Sequence, residues 1–169
     1  MRAIGKGSLA SILAAGLHAV RIVIFIAFFG LSIAAVIMPF LPMLERVSDG
    51  IVSIDGGTVS GGDYVKLMSY FVSFGVMLFI VNRLLEILKT LRFGSPFVRE
   101  NAVRFRQVGY ALLLGEGAKI AFGILGAIFD AELKGGTELT TWIAIVAVFV
   151  LAEVFLEGAK MKEEQDLTV

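Results

Sequence analysis

The sequence lacks cysteine altogether and contains a single histidine, His18. Without cysteine the chain can form no disulfide bond, no thiolate metal site and no thiol nucleophile. One histidine is too few for a histidine-rich metal centre, so we interpret His18 as an interfacial or packed residue. The formal net charge is +0, so no overall field attracts nucleic acid. We therefore predict no metal site, no cofactor and no direct binding of nucleic acid.

Apolar residues are what the sequence has in excess: they make up 57% of its 169 residues, against about 45–50% in soluble domains. A helix that crosses a bilayer needs about 20 mainly apolar residues. Runs of this length predict a single all-α membrane domain, residues 1–169, in which a bundle of four helices spans the lipid bilayer. The predicted spans lie at about 20–38, 64–88, 108–129 and 139–157. The first run is too long for a cleaved signal peptide, so we interpret it as a retained helix.

Positive charges fall mainly on one side of this four-span plan. That side carries Arg2, Lys6, Arg83, Lys89, Arg92, Arg99, Arg104, Arg106, Lys160 and Lys162. The opposite side carries Arg46, Lys66 and Lys134. Because lysine and arginine accumulate in cytoplasmic loops, we predict that both termini are cytoplasmic.

The first outer loop, residues 47–62, contains short apolar segments around Asp55-Gly56-Gly57. This is the pattern of a hairpin turn, and it predicts a small extracytoplasmic β-hairpin. A calcium site formed by Asp49, Asp55 and Asp63 is the alternative. Their spacing does not match an EF-hand loop, so the hairpin is the interpretation we favour.

The connection between the second and third spans begins with a helix stop and a helix start. Ser95 is placed to cap a helix and Pro96 to occupy its first position. We predict a short interfacial helix from Pro96 to Gln107, ahead of the third span. It would contact lipid headgroups or, alternatively, dock a cytoplasmic partner. The candidate residues for these contacts are Pro96, Phe97, Arg99, Asn101, Arg104 and Arg106.

The third span contains two charged residues, Glu116 and Lys119, that share one helix face. This intramembrane pair must face the protein or water, because charge is costly in lipid. It would be a structural ion pair, or a proton or ion relay. We also hypothesise an interhelix pair of Arg21 with Glu153, which lie at similar depth. Small residues that would allow close helix packing include Gly109, Gly115, Gly117, Gly123 and Gly126.

Two segments resemble the bacterial domain-of-unknown-function family 2975, a group of small four-span inner-membrane proteins. Residues 94–109 carry Gly-x-Pro-Phe, then an asparagine, a Leu-Arg-like pair and a glycine that enters a span. Residues 154–169 carry Phe-x-x-Gly, acidic residues and an Asp-Leu-Thr-hydrophobic ending. Phe105 stands where leucine is usual, and Gln165 replaces the commoner asparagine. The resemblance implies a bacterial inner-membrane location.

This resemblance implies no settled activity, but it does suggest a partner. Members resemble one half of a pair whose other half is a small helix-turn-helix regulator. We therefore expect a non-enzymatic protein that regulates or anchors such a partner through residues 94–107 and 157–169. The sequence has no nucleophile–base arrangement and no cofactor fingerprint, so we predict that it is not an enzyme. The alternative is a small oligomeric transporter or channel that uses Glu116 and Lys119.

Overall fold

A computed structural model describes residues 9–41, 43, 59–92, 96–131, 133 and 136–167. Within these residues the chain forms four α-helices, α1 (Leu9–Ile37), α2 (Gly61–Arg92), α3 (Arg99–Ile128) and α4 (Leu139–Leu167). Each is long and apolar enough to cross a membrane, and the first span includes the 3₁₀ turn Met38–Phe40 that follows α1. The predicted all-α class with four helices of spanning length is therefore confirmed.

The helices pack in chain order. Extensive contacts join α1 to α2, α2 to α3 and α3 to α4. Within the described residues, α1 and α4 share no contact of comparable extent. The arrangement is therefore an open row, where we had predicted a bundle. Small and branched side chains fill the α1–α2 contact, which is built from Ala10, Ala14, Leu17, Leu85, Leu88 and Leu91.

The amino end of α2 lies next to the loop for which a hairpin was predicted. Residues 44–58, which include Asp49 and Asp55, lie outside the described part of the chain. Asp63 Oδ2 accepts hydrogen bonds from the backbone N–H and the hydroxyl of Ser60, both at 2.9 Å. The backbone N–H of Asp63 donates to the carbonyl of Ser60 at 3.1 Å. This reciprocal cap satisfies backbone groups at the start of α2, and gives Asp63 a structural role.

The short helix predicted from Pro96 to Gln107 is not a separate element. The helix begins at Arg99 and continues without a break to Ile128. Val98, in an extended conformation with φ −122° and ψ 143°, stands at its N-cap. Pro96 therefore precedes the helix, and its carbonyl accepts a hydrogen bond from the buried side chain of Asn101. The predicted cap residue Ser95 lies outside the described residues.

One end of the row, here called the basic end, carries Arg21 of α1, the last turns of α2, the first turns of α3 and the last turns of α4. No charged residue occurs in α1 from Ile22 to its end. That run and the following 3₁₀ turn rise about 30 Å, which is the thickness of a bilayer's hydrocarbon core. Arg21 therefore marks the edge of the hydrocarbon. α4 starts at Leu139, directly after Glu138, and about 30 Å of helix counted from there reaches roughly residue 158; the remaining residues to Leu167 rise roughly 13 Å past the hydrocarbon.

Candidate functional site

A polar network joins α2 to α3 at the basic end, with Asn101 at its centre. Asn101 is 0% exposed. Its amide nitrogen donates to Thr90 Oγ1 at 2.6 Å and to the carbonyl of Pro96 at 2.9 Å. Its Oδ1 accepts from Arg104 Nη1 at 2.9 Å. Both donors and the acceptor are thus used inside the protein, so Asn101 orients neighbouring chain segments and offers no surface to a partner.

Glu86 extends this network by binding two arginines. Its Oε2 lies 2.9 Å from Arg83 Nη1 and 3.1 Å from Arg104 Nε. The Arg83 guanidinium also lies over the ring of Phe79, 5.0 Å from the ring centroid. Arg104, which we had proposed for lipid or partner contacts, is therefore held between Glu86 and Asn101. Sequence analysis missed Glu86, although it is the single carboxylate among the basic residues of the stretch 83–99.

The start of α3 is held against α4 by aromatic rings. The ring centroid of Phe155 lies 5.5 Å from that of Phe97 and 4.8 Å from that of Phe105. Phe97 also covers Gly158, where an added Cβ would lie 2.5 Å from Phe97 Cδ1. The Gly-x-Pro-Phe and Phe-x-x-Gly segments of the sequence are thus packing partners. Phe97 helps to fix the tail of α4, while 43% of its surface stays exposed.

The ion pair that we hypothesised between Arg21 and Glu153 is replaced by two other contacts. Glu153 Oε1 lies 2.6 Å from Arg106 Nη2, which joins α3 to α4. The Arg21 guanidinium lies over the ring of Phe25, 5.6 Å from its centroid. The hypothesis failed because α1 and α4 are at opposite edges of the row. Arg106, like Arg104, is therefore engaged within the protein.

A cleft of about 300 Å³, here called the tail cleft, separates the first turn of α3 from the projecting part of α4. Arg99 and Glu100 line it from α3, and both are exposed. Lys162, Glu163 and Asp166 line it from α4. Among the six residues that we predicted for lipid or partner contacts, Arg99 is the arginine that faces this open surface.

The intramembrane pair predicted in the third span is formed in α3. Lys119 Nζ lies 2.6 Å from Glu116 Oε1, and the two side chains are 48% and 3% exposed. Glu116 Oε2 is buried and has no hydrogen-bond partner among the described residues. Glu116 is ten residues, about 15 Å, from Arg106 and twelve residues, about 18 Å, from the end of α3 at Ile128, so the carboxylate lies near the middle of the spanning segment.

Glu116 also shares a helix face with Gly109, since the two are seven residues apart. Gly109 packs on α4, because a Cβ there would lie 2.8 Å from Phe149 Cζ. The buried carboxylate therefore faces the side of α3 that meets α4. Not every glycine that we considered serves such packing, since Gly117 has nothing within 4 Å of its would-be Cβ.

Four spanning helices in a row, tied together by polar and aromatic contacts at one end, define a multi-pass membrane protein. Among the described residues, no group of three or more histidines and carboxylates is placed to hold a metal ion.

A family model described as "Protein of unknown function (DUF2975)" matches residues 63–169, from the start of α2 onward. The match covers well over half of the chain, which therefore belongs to this family. The residues that carried the resemblance are those that join α3 to α2 and α4. Comparison with curated proteins and with solved structures found no match.

Proposed function

We propose that this chain is a non-enzymatic protein of the bacterial inner membrane that anchors or regulates a cytoplasmic partner. The observation that carries the proposal is the carboxyl end of α4, which rises roughly 13 Å past the hydrocarbon and lies beside the first turn of α3. Residues 160–167 of this projection are all exposed, and Leu167 is 87% exposed. A helix that only spans the bilayer needs no such extension. The positive-inside rule puts the basic end, both termini and this projection in the cytoplasm.

The docking face of this proposal is narrower than the one deduced from sequence. Asn101, Arg104 and Arg106 support the fold from within, as described above. What remains for a partner is the tail cleft, with Arg99 on one wall and Asp166 on the other, and the tip of α4. We had predicted that a short helix over residues 96–107 lies at the membrane interface. In this proposal the first turns of α3 occupy that interface instead.

The partner that we favour is a small helix-turn-helix regulator, and the charge of the tip supports this choice. The tip of α4, residues 163–167, carries Glu163, Glu164 and Asp166 and no basic residue, whereas Lys160 and Lys162 precede it. A DNA-binding protein presents a basic face to its phosphates. Docking of that face on the acidic tip would hold the regulator at the membrane and away from DNA.

Site-specific photocrosslinking in native membranes tests this proposal. A photoreactive residue is placed at Leu167, in the tip, and in a control variant at Leu139, at the opposite end of α4. We expect a helix-turn-helix regulator to crosslink from position 167 and not from position 139. Replacing Glu163 and Asp166 by glutamine should weaken that crosslink. Crosslinks from Leu167 to other copies of the chain alone would overturn the proposal.

The buried carboxylate of Glu116 favours a second candidate, a small transporter or channel that acts as a homo-oligomer. Its Oε2 has no partner among the described residues and lies near the middle of the spanning segment. Proton-coupled flux into vesicles that disappears in Glu116→Gln, and persists in the exposed control Glu157→Gln, would support this candidate. Equal flux in both variants and in empty vesicles would dismiss it.

A further inference from the structure

A second cleft lies at the basic end, on the opposite edge of the row from the tail cleft. It has a volume of about 640 Å³ and opens between the first half of α1 and the last turns of α2. Four cationic side chains and one carboxylate line it, together with His18. The charged residues are Arg21, Arg83, Glu86, Lys89 and Arg92. Neither the family match nor the proposed docking function uses this cleft.

The charges of this α1–α2 cleft are unbalanced. Glu86 is its one carboxylate, and that group is already bound by Arg83 and by Arg104 of α3. Arg21, Lys89 and Arg92 therefore have no counter-charge among the residues that line the cleft. The residues before Leu9 include Arg2 and Lys6 and no carboxylate, so they offer none either. Gathered cations of this kind attract an anion from outside the chain.

Two of the arginines are held in place before any ligand arrives. The Arg21 guanidinium lies over the Phe25 ring and that of Arg83 over the Phe79 ring. These cation–π contacts fix the guanidinium planes and leave edge N–H groups to donate. Planar guanidinium groups bind phosphate oxygens through paired hydrogen bonds, and lysine adds a point charge.

The depth of the cleft matches that of phospholipid headgroups. Arg21 marks the edge of the hydrocarbon, and Lys89 and Arg92 lie farther out along α2. Basic pockets between membrane-spanning helices at this level bind anionic headgroups. The apolar side of the same cleft, formed by Ala14, Phe79 and Leu85, suits the first carbons of an acyl chain.

We propose that the α1–α2 cleft is a binding site for a phosphate group, carried by an anionic phospholipid. Arg21 and Arg83 would bind the phosphate oxygens, and Lys89 and Arg92 would neutralise its charge from the solvent side. The same chemistry would accept free inorganic phosphate, and the experiment below separates these two sources. The site is independent of the docking function, because α3 and α4 carry the tail cleft.

Native mass spectrometry of the full chain, released from nanodiscs of mixed lipid, measures retained lipid directly. We expect the wild type to retain phosphatidylglycerol in preference to phosphatidylcholine. The double variant Arg21→Gln, Lys89→Gln should retain phosphatidylglycerol roughly tenfold more weakly, since it removes two of the cations that would face the bound phosphate inside the cleft. Lys160→Gln, Lys162→Gln is the matched control: it removes the same charge from α4 and should bind as the wild type does.

The single variant Lys89→Gln changes an exposed side chain and should fold normally even if the double variant does not. It should lose part of the phosphatidylglycerol that the double variant loses. Inorganic phosphate added to lipid-stripped protein identifies the source. Phosphate that binds the wild type and displaces phosphatidylglycerol would indicate a site for the free anion, whereas retention of the lipid alone would indicate a headgroup site. Equal losses in the two double variants, or equal retention of both lipids, would overturn the proposal.

Discussion

Phe97 lies on Gly158, although Phe97 precedes α3, Gly158 belongs to α4, and their motifs are at opposite ends of the carboxyl-terminal half. The ring leaves no room for a side chain, since a Cβ on Gly158 would be 2.5 Å from Phe97 Cδ1. Phe155, one turn earlier on α4, packs on the same ring with centroids 5.5 Å apart. This contact sets the direction in which α4 leaves the membrane, and with it the position of the tail cleft.

Gly158→Ala should therefore destabilise the protein. The added methyl group forces Phe97 away, and overpacking of this kind costs about 1–3 kcal/mol. We expect a lower thermal unfolding midpoint in detergent. Gly117→Ala is the control, because its Cβ meets nothing within 4 Å and alanine favours a helix by about 0.5–1 kcal/mol. Equal midpoints for the two variants would show that the contact is loose.

Asn101→Ala should remove the centre of the α2–α3 network. Thr90, the Pro96 carbonyl and Arg104 would each lose a partner, at a cost of about 1–3 kcal/mol in unfolding free energy. Adding Thr90→Val to this variant should cost little more, because the Asn101–Thr90 hydrogen bond is already absent. Fully additive losses in chemical unfolding would refute the network. Asn82→Ala, at a half-buried asparagine of α2, provides the comparison.

The two members of the intramembrane pair should respond unequally to mutation. Lys119→Gln leaves the buried Glu116 carboxylate without its charged partner, a loss of about 3–5 kcal/mol. Glu116→Gln leaves the Lys119 ammonium unpaired, but this half-exposed, flexible side chain can extend toward the membrane surface, so the variant should cost less. The double variant Glu116→Gln, Lys119→Gln should recover most of the Lys119→Gln loss. The folded fraction after membrane extraction measures all three, and greater harm from the double variant would contradict this account.

The neighbours of Glu153 can be checked by chemical crosslinking, since the chain has no cysteine of its own. Cysteines at positions 106 and 153 should be joined efficiently by a short bifunctional maleimide, because the native side chains are 2.6 Å apart. Cysteines at positions 21 and 153 should not, because α1 and α4 are at opposite edges of the row. Efficient joining of the second pair within one chain would instead favour a closed bundle.

The side of the membrane on which each end of α4 lies can be tested by labelling single cysteines, since the chain has none of its own. Leu167→Cys, at an 87% exposed position, should react with an impermeant maleimide in inverted vesicles and stay unreactive in intact spheroplasts. Leu139→Cys, 76% exposed at the other end of α4, should show the opposite pattern. The reverse of both results would place the basic end outside the cytoplasm.

The number and approximate position of the helices could be read from the sequence, because a spanning length of apolar residues is a property of one segment. The helix neighbours could not, and that is why Glu153 was paired with Arg21 in place of Arg106. The predicted interfacial helix began too early in the sequence, at Pro96 and not at Arg99, for a similar reason. Nothing local shows that Asn101 binds the carbonyl of Pro96, which lies outside the helix.

The residues that contact lipid or a partner were harder still to predict from the sequence, because a motif does not say whether its residues face inward or outward. Arg104 and Arg99 look alike in the sequence. Arg104 meets Glu86, a residue of another helix, while Arg99 stays exposed. Two contacts that we did not predict did have a signal in the sequence. Glu86 is the lone carboxylate of the basic stretch 83–99, and Ser60-x-x-Asp63 has the spacing of a helix cap.

A row of four helices has two broad faces, and both of them meet lipid or another protein. Among the described residues such a ribbon encloses no lumen, because its first and last helices share no extensive contact. If ions or solutes do cross the membrane through this protein, several ribbons must close on one another around the path. The buried Glu116, set between α3 and α4, would then reach that path only where neighbouring copies meet.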